Sequence, residues 1–448
     1  MMDAKRIELE NQILDKISGR VNYSQPVPEK EKIIMEAFQG FCRESASLES
    51  QCVIEYLGSE KAKEDFLKEF QGYGILDELL GDDLVEDIII NGTEPICVHH
   101  AKEGFKKTGK RFADLKELDL LIKKLLIFSG RTEPKKINNI DLLGMRGRVN
   151  IVYSPLGPEL TITRLKENPL SIIQLVGNNT LNSGMAALLW LYVEGLRLRP
   201  ANILISGGPG SGKTTLLNAM LSFITSDQHI VIIEDTFELV TGWMENVSRL
   251  ESDDELSLKN LVKNSLRMRP ERIIVGEVRG EEAQDMITAM NIGKYCLATI
   301  HASTVRETIV RLQSNPMNIP ETSVSLIDAF IVMRKQKKDG GVERVVEEIS
   351  ETGGLEQKMV LLSQLWKFEP GAVRFNNVSP TNIYRDRLSQ ASGLSGKQIL
   401  DEIALRKSFL ELLGKHKIES VKEVSYFCGL YLKDAQKAFI EAGNYEKR

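Results

Sequence analysis

The sequence is poor in the features that mark several protein classes. Its five cysteines (Cys42, Cys52, Cys97, Cys296 and Cys428) are scattered, with no C-x-x-C and an odd count, which excludes a disulfide framework and a cysteine-based zinc site. A reducing cytoplasm is the expected setting. The longest apolar stretch, Met185 to Val193, is too short to span a bilayer, and the opening MMDAKRIELENQ lacks the apolar core of a signal peptide. Membrane association is therefore expected to be peripheral. An excess of one charge is missing too. Lys and Arg number 58 against 63 Asp and Glu, leaving −5, so no global field draws the chain to nucleic acid or anionic lipid. What remains is ordinary for globular protein: 448 residues at 42% hydrophobic content, long enough for two or three domains.

The informative stretch is Ala201 to Met220, ANILISGGPGSGKTTLLNAM. An apolar run suited to a buried parallel strand (Ile203, Leu204, Ile205) stops at a glycine cluster and resumes with helical spacing (Leu216, Leu217, Met220). The loop between them fits G-x-x-x-x-G-K-[ST], with Gly207, Gly212, Lys213 and Thr214 at the fixed positions and Gly208, Pro209, Gly210, Ser211 and Thr215 completing it. Backbone N–H groups in a concave turn bind phosphate oxygens, and side chains at the glycine positions would hinder that approach. Lys213 then supplies a point charge to the β- and γ-phosphates, and Thr214 offers a hydroxyl to Mg²⁺. A nucleotide site holding ATP and Mg²⁺ is the expectation.

Around this unit the chain reads in five parts. Residues 1–70 carry charged helical periodicity, in two pieces separated near Ser24 to Pro28, and form a helical extension. Residues 71–167 read as an α+β domain with an Asn91-Gly92 hairpin, a helix through Leu118 to Phe128 and the strand pair RGRVNIVYSP and GPELTITRL. The adjacent His99 and His100 point to opposite faces of a strand and cannot easily grip one metal ion. Residues 168–183, rich in breakers, are the expected linker. Residues 184–378 alternate apolar strands with helices, arguing a mostly parallel sheet covered on both faces, and end in β pieces. Residues 379–448 read as a small helical bundle, in which LSGKQ is a helix start capped by Ser395.

Three further stretches carry chemistry. In IVIIEDTFEL a strand (Ile230 to Ile233) delivers Glu234, Asp235 and Glu238 to its C-terminal end, where ligands bind in open α/β sheets and a carboxylate can orient a water. In RMRPERIIVGEVRG the strand Ile273 to Val275 delivers Glu277, placed to hold Mg²⁺ through water, with Arg267, Arg269 and Arg279 around it. These arginines are either phosphate partners or a solvated rim. In LATIHAS a strand places His301 beside small residues.

Taken in order, the phosphate loop GGPGSGKTT, the Asp box EDTFEL, the Walker B stretch RMRPERIIVGEVRG and the His box ending TIHA resemble the type II/IV secretion ATPase superfamily over about residues 72–345. LVEDIIINGTEPICV and RGRVN followed by LTITRL resemble its N-terminal domain. The resemblance implies an α/β fold: a RecA-like P-loop NTPase core with an N-terminal α+β PAS-like domain and helical extensions at both ends. It implies a homohexamer, with Glu238 activating water and Glu234 close by, Glu277 in the metal shell, His301 sensing the γ-phosphate, and Arg148 and Arg164 reaching the nucleotide when domains close. The implied partners are a polytopic membrane platform protein and, through it, pilin-like or secreted protein; nucleic acid is not expected.

Two departures stand out. The family's His box begins Gly-His, whereas this chain has Gly293-Lys294, and the tetracysteine zinc element of some type II members is absent. The helical tail looks more like archaeal pilus or archaellum-type members. A DNA-translocating, conjugation-type motor stays as the alternative, together with a ring subunit that binds ATP without hydrolysing it.

Overall fold

In the computed structural model, residues 4–21, 25–44, 59–131, 133–141, 147–155, 157–164, 168–252, 255–338, 341–356, 359–369 and 374–445 are described; Ser24 and Cys52 lie outside them. The chain divides into two compact units, residues 1–167 with 339–342 and residues 168–338 with 343–448.

The first unit contains α1 (Ala4–Ile17), α2 (Val27–Glu44), α3 (Glu60–Gln71), α4 (Asp77–Gly81), β1 (Val85–Asn91), β2 (Cys97–His100), β3 (Gly104–Lys107), α5 (Leu115–Phe128), β4 (Ile137–Asp141), β5 (Gly147–Ser154) and β6 (Gly157–Arg164). Its six strands form one antiparallel sheet in the order β3-β2-β1-β6-β5-β4. The hairpin expected at Asn91-Gly92 forms, with Gly92 left-handed at φ +56°, but Ile89 pairs with Cys97, so its connection runs on through Thr93, Glu94 and Pro95. His100 Nδ1 accepts the Glu103 N–H at 3.1 Å, a turn contact. Among the described residues no cluster of three or more His, Cys, Asp or Glu is placed to hold a metal.

Helix α5 is apolar on two faces. Leu118, Leu121, Ile122 and Leu125 pack on the sheet, while Leu120, Ile127 and Phe128 join Leu9, Ile13, Leu14, Ile34, Phe38, Phe66 and Phe70 in a second core. The stretch read as an extension therefore packs as three helices against α5, because both partners carry an apolar stripe that needs cover.

The second unit begins with α6 (Ile172–Gly177) and α7 (Ser183–Glu194), then β7 (Ile203–Gly207), α8 (Lys213–Met220), β8 (Ile230–Glu234), β9 (Val247–Glu251), α9 (Leu258–Ser265), β10 (Arg272–Val278), α10 (Glu282–Asn291), β11 (Tyr295–Ile300), α11 (Val305–Gln313), α12 (Glu321–Val324) and β12 (Ala329–Lys338). It continues through β13 (Gly341–Glu356), β14 (Met359–Phe368) and β15 (Phe375–Asn377) to α13 (Ile383–Ser392), α14 (Gly396–Lys415), α15 (Val421–Lys433) and α16 (Ala435–Gly443). The sheet order is β15-β14-β13-β12-β7-β11-β10-β8-β9, and β12 through β9 run parallel. Strand β7 lies between β11 and β12, so the chain leaves it to one side and later returns to the other. Open α/β sheets bind ligands at such a switch point.

Two expectations change here. The 168–183 stretch holds α6, closed by a capping box between Ser171 and Gln174, and Ile172, Ile173 and Leu175 are buried. A linker would leave those side chains in water. The tail is also not a separate bundle: Phe409, Leu410, Leu413, Phe427 and Tyr431 share one core with Trp190 of α7. The Met185 to Val193 run is buried all round, which explains its unbroken apolarity. Ser395 does cap α14, in a capping box with Gln398. Cys97, Cys296 and Cys428 are free and buried, and no described helix is long and apolar enough to cross a membrane.

The tail is fastened by a buried ion pair. The Arg406 guanidinium of α14 meets Glu194 of α7, donates through Nε to Glu402 at 2.8 Å and lies 4.8 Å from the Trp190 ring centroid. Both Arg406 and Glu194 are almost fully buried. Removing one partner of such a pair strands the other charge, so Arg406→Ala should lose about 3–5 kcal/mol in denaturant unfolding. A loss below about 1 kcal/mol, the range of an exposed pair, would contradict this.

Candidate functional site

The phosphate-loop geometry follows from its glycines. Gly210 and Gly212 are left-handed at φ +64° and +94°, a region costly for residues with a Cβ. A Cβ on Gly207 would stand 2.4 Å from Ser211 Oγ and 2.6 Å from the Met333 carbonyl. The turn is thus a closed cradle at the end of β7, leading directly into α8. Ser211 Oγ is buried there with no hydrogen-bond partner among the described residues. An orphaned hydroxyl and a backbone concavity at a helix start fit a phosphate group.

Lys213 lies over this cradle. Its ammonium donates to the carbonyls of Gly207 at 3.0 Å and Gly208 at 3.1 Å. It also lies 3.3 Å from His301 Nδ1. The other ring nitrogen, Nε2, is 2.8 Å from a carboxylate oxygen of Glu277. An ammonium only donates and a carboxylate only accepts, so Nδ1 is the accepting nitrogen and Nε2 carries the proton. Burial, together with the Lys213 charge, holds His301 below its usual 6.5, against an upward pull from Glu277. Burial also lowers Lys213, with Glu277 and Glu238 opposing. The sheet brings Lys213, Glu277 and His301 together because β7, β11 and β10 are neighbours.

Glu234, the last residue of β8, is 2% exposed. One oxygen accepts the N–H groups of Glu238 at 2.9 Å and Leu239 at 2.8 Å, and the other meets Arg249 Nη2 at 3.0 Å. Burial raises its pKa, against these donors. Its lone pairs are spent on holding the following loop, whereas the Glu238 side chain is exposed. Gly276 makes room for it: a Cβ there would meet Glu234 Cγ at 3.0 Å.

Thr214 and Thr215 are half-buried at the start of α8, and Pro209 is exposed at the loop tip. Thr214 and Glu277 offer oxygen atoms of the kind Mg²⁺ takes. In the first unit, Arg148 opposes Thr163 while Arg164 opposes Gly147. The pleat therefore sends the two arginines to opposite faces of the sheet. Arg164 donates to the Asp82 carbonyl, and Arg148 is exposed.

Of the three arginines read around Glu277, Arg267 and Arg269 are exposed before β10, at the strand end away from the loop. They form a solvated rim. Arg279 pairs with Asp235. The buried arginine of this stretch is instead Arg272, which donates to the Val193 carbonyl at 2.7 Å and is pushed down to about 10 by burial.

Sequence reasoning missed the groups behind the loop. Arg344 Nε donates to the Gly210 carbonyl at 2.8 Å, and a Cβ on Gly210 would stand 3.4 Å from the Lys335 ammonium. Arg249 and Asn218, which accepts the Val240 N–H at 3.2 Å, were missed too. No local spacing announces these residues, since their partners are distant in sequence.

The type II/IV secretion system protein family matches residues 142–352. The uncharacterized protein MJ0900 of Methanocaldococcus jannaschii is 32% identical over 355 residues, 76% of this chain, which spans 64% of that protein's length. The putative conjugal transfer protein MT3759 of Mycobacterium tuberculosis is 32% identical over 55% of this chain and 73% of its own. The crystal structure of the pilus retraction motor PilT with bound ADP is 19% identical, covering 83% of this chain and 97% of that one, at a TM-score of 0.46. With its phosphate loop, acidic strand ends and His box in that order, the chain belongs to the type II/IV secretion ATPase superfamily.

Proposed function

We propose that this chain is a cytoplasmic, Mg²⁺-dependent ATPase that assembles as a homohexamer, docks peripherally on a polytopic membrane platform protein, and powers export of protein or assembly of a pilus-like filament. The contact chain Lys213–His301–Glu277 beneath the phosphate loop supports hydrolysis best. The second unit is read as the RecA-like core and the antiparallel sheet of the first as the PAS-like domain.

In this reading Lys213 exchanges its loop carbonyls for phosphate oxygens, and the backbone N–H groups of residues 207 to 212 line the cradle. Thr214 and Glu277 would hold Mg²⁺, which when bound draws charge from the β- and γ-phosphates. Glu238 is the water-orienting base, kept in place by the Glu234 carboxylate under its N–H. His301, neutral and protonated at Nε2, senses the γ-phosphate. Arg148 and Arg164 keep the role that the resemblance implies, as cations for the nucleotide, but because they lie on opposite faces of their sheet a single nucleotide meets at most one of them. Similarity to a protein named for conjugal transfer carries a second reading, a DNA-translocating motor, which predicts hydrolysis stimulated by single-stranded DNA.

Removing the loop lysine tests the enzyme. In a phosphate-release assay Lys213→Ala should lose activity by roughly a hundredfold or more, the scale of a lost oxyanion-type contact. Retained turnover would refute the assignment. Burial and the Lys213 charge both disfavour the imidazolium of His301. His301 should therefore titrate below 6.5 by NMR among the five histidines, and its midpoint should rise in Lys213→Met. A native midpoint at or above 6.5 would contradict the geometry.

A further inference from the structure

Between α15 and the segments that precede β8 and β9 lies a cavity of about 430 Å³. It is at the end of the sheet opposite the phosphate loop, where Ile230, four residues before Glu234 on β8, lines it. No part of the nucleotide site touches it. Ile224, Trp243, Met244 and Leu430 give it an apolar wall. The indole N–H of Trp243 has no acceptor among the described residues.

The other wall is one stripe of α15. Lys422, Tyr426, Gly429 and Lys433 recur at intervals of four, three and four residues, so they share a helix face. Both lysines are exposed, and neither forms an ion pair among the described residues. Tyr426 is 60% exposed. Asp227, also on the cavity, is already paired with Arg197 at 2.6 Å. Gly429 is the informative position. Glycine inside a helix costs about 1 kcal/mol against alanine, yet a Cβ at Gly429 would meet nothing within 4 Å. Internal packing does not ask for glycine there, and the missing side chain leaves the cavity mouth unobstructed.

We propose that this cavity receives an acidic segment of a partner protein. One large apolar side chain of that segment enters over Gly429 toward Trp243, and flanking carboxylates meet Lys422 and Lys433. The volume suits one such anchor. A partner chain is favoured over an anionic membrane because the apolar groups line a recess, which a flat lipid surface does not enter. The inference does not depend on ATP hydrolysis.

The test uses the full chain and a fluorescein-labelled octapeptide, Glu-Glu-Asp-Phe-Leu-Asp-Glu-Glu, followed by anisotropy. Saturable binding is expected for the native chain and equally for Lys213→Ala, which separates this site from the nucleotide site. Gly429→Leu should weaken binding at least tenfold while keeping or raising the melting temperature, and the double variant Lys422→Glu with Lys433→Glu should do the same to binding. The counterpart peptide with lysine at every acidic position should not bind. Absent binding, binding indifferent to both variants, equal binding of the lysine peptide, or capture of the chain by phosphatidylglycerol vesicles through the two lysines would each overturn the proposal.

Discussion

One ammonium group organises the second unit's working edge. Lys213 has burial working against its charge, so it must be satisfied, and in this structure its own loop supplies the oxygens. Those are neutral carbonyls. A phosphate brings full negative charge to the same donor and makes the stronger, charge-assisted bond. His301 and Glu277 extend this contact away from the loop, so the ends of β7, β10 and β11 are electrically linked. The neighbouring end of β8 is secured separately, through the Glu234 carboxylate, two backbone N–H groups and Arg249.

The same frame explains why the tail belongs to the core. Helix α7 is buried all round, so something must cover its outer face, and α14 with α15 does so. Their aromatic side chains meet Trp190, with Tyr431 at 5.0 Å and Phe409 at 6.2 Å between ring centroids. Glu351, fully buried, accepts the Ile383 and Tyr384 N–H groups at the start of α13 and the Tyr192 hydroxyl at 2.7 Å. A carboxylate at a helix N-terminus is a favourable place for a buried charge. The helices after the sheet are thereby tied to the helix before it by charge as well as by apolar contact.

Much of this was legible in the sequence because the relevant signals are local. A glycine loop between an apolar strand and a helix, and carboxylates at strand ends, are set by spacing within a dozen residues. The glycine turn between β7 and α8 and the superfamily followed from them. What could not be read is set by contacts across the chain. Asn168 to Ser183 looks like a linker because its breakers are counted, while the burial of Ile172 and Ile173 depends on a core assembled from distant helices. Arg267 and Arg269 looked close to Glu277 because they are close in sequence, yet a strand separates its two ends. Arg344 acts on Gly210 across 134 residues, and no periodicity signals that.

The central claim is that Lys213 is held in reserve by its own loop and turns to phosphate when nucleotide arrives. Titration calorimetry of ADP with Mg²⁺ into the full chain measures this most directly. The account predicts saturable binding that weakens at least about tenfold in Lys213→Met, as expected for a lost charge-assisted contact. Equal affinity in the two proteins, or no binding to the native chain, would contradict it.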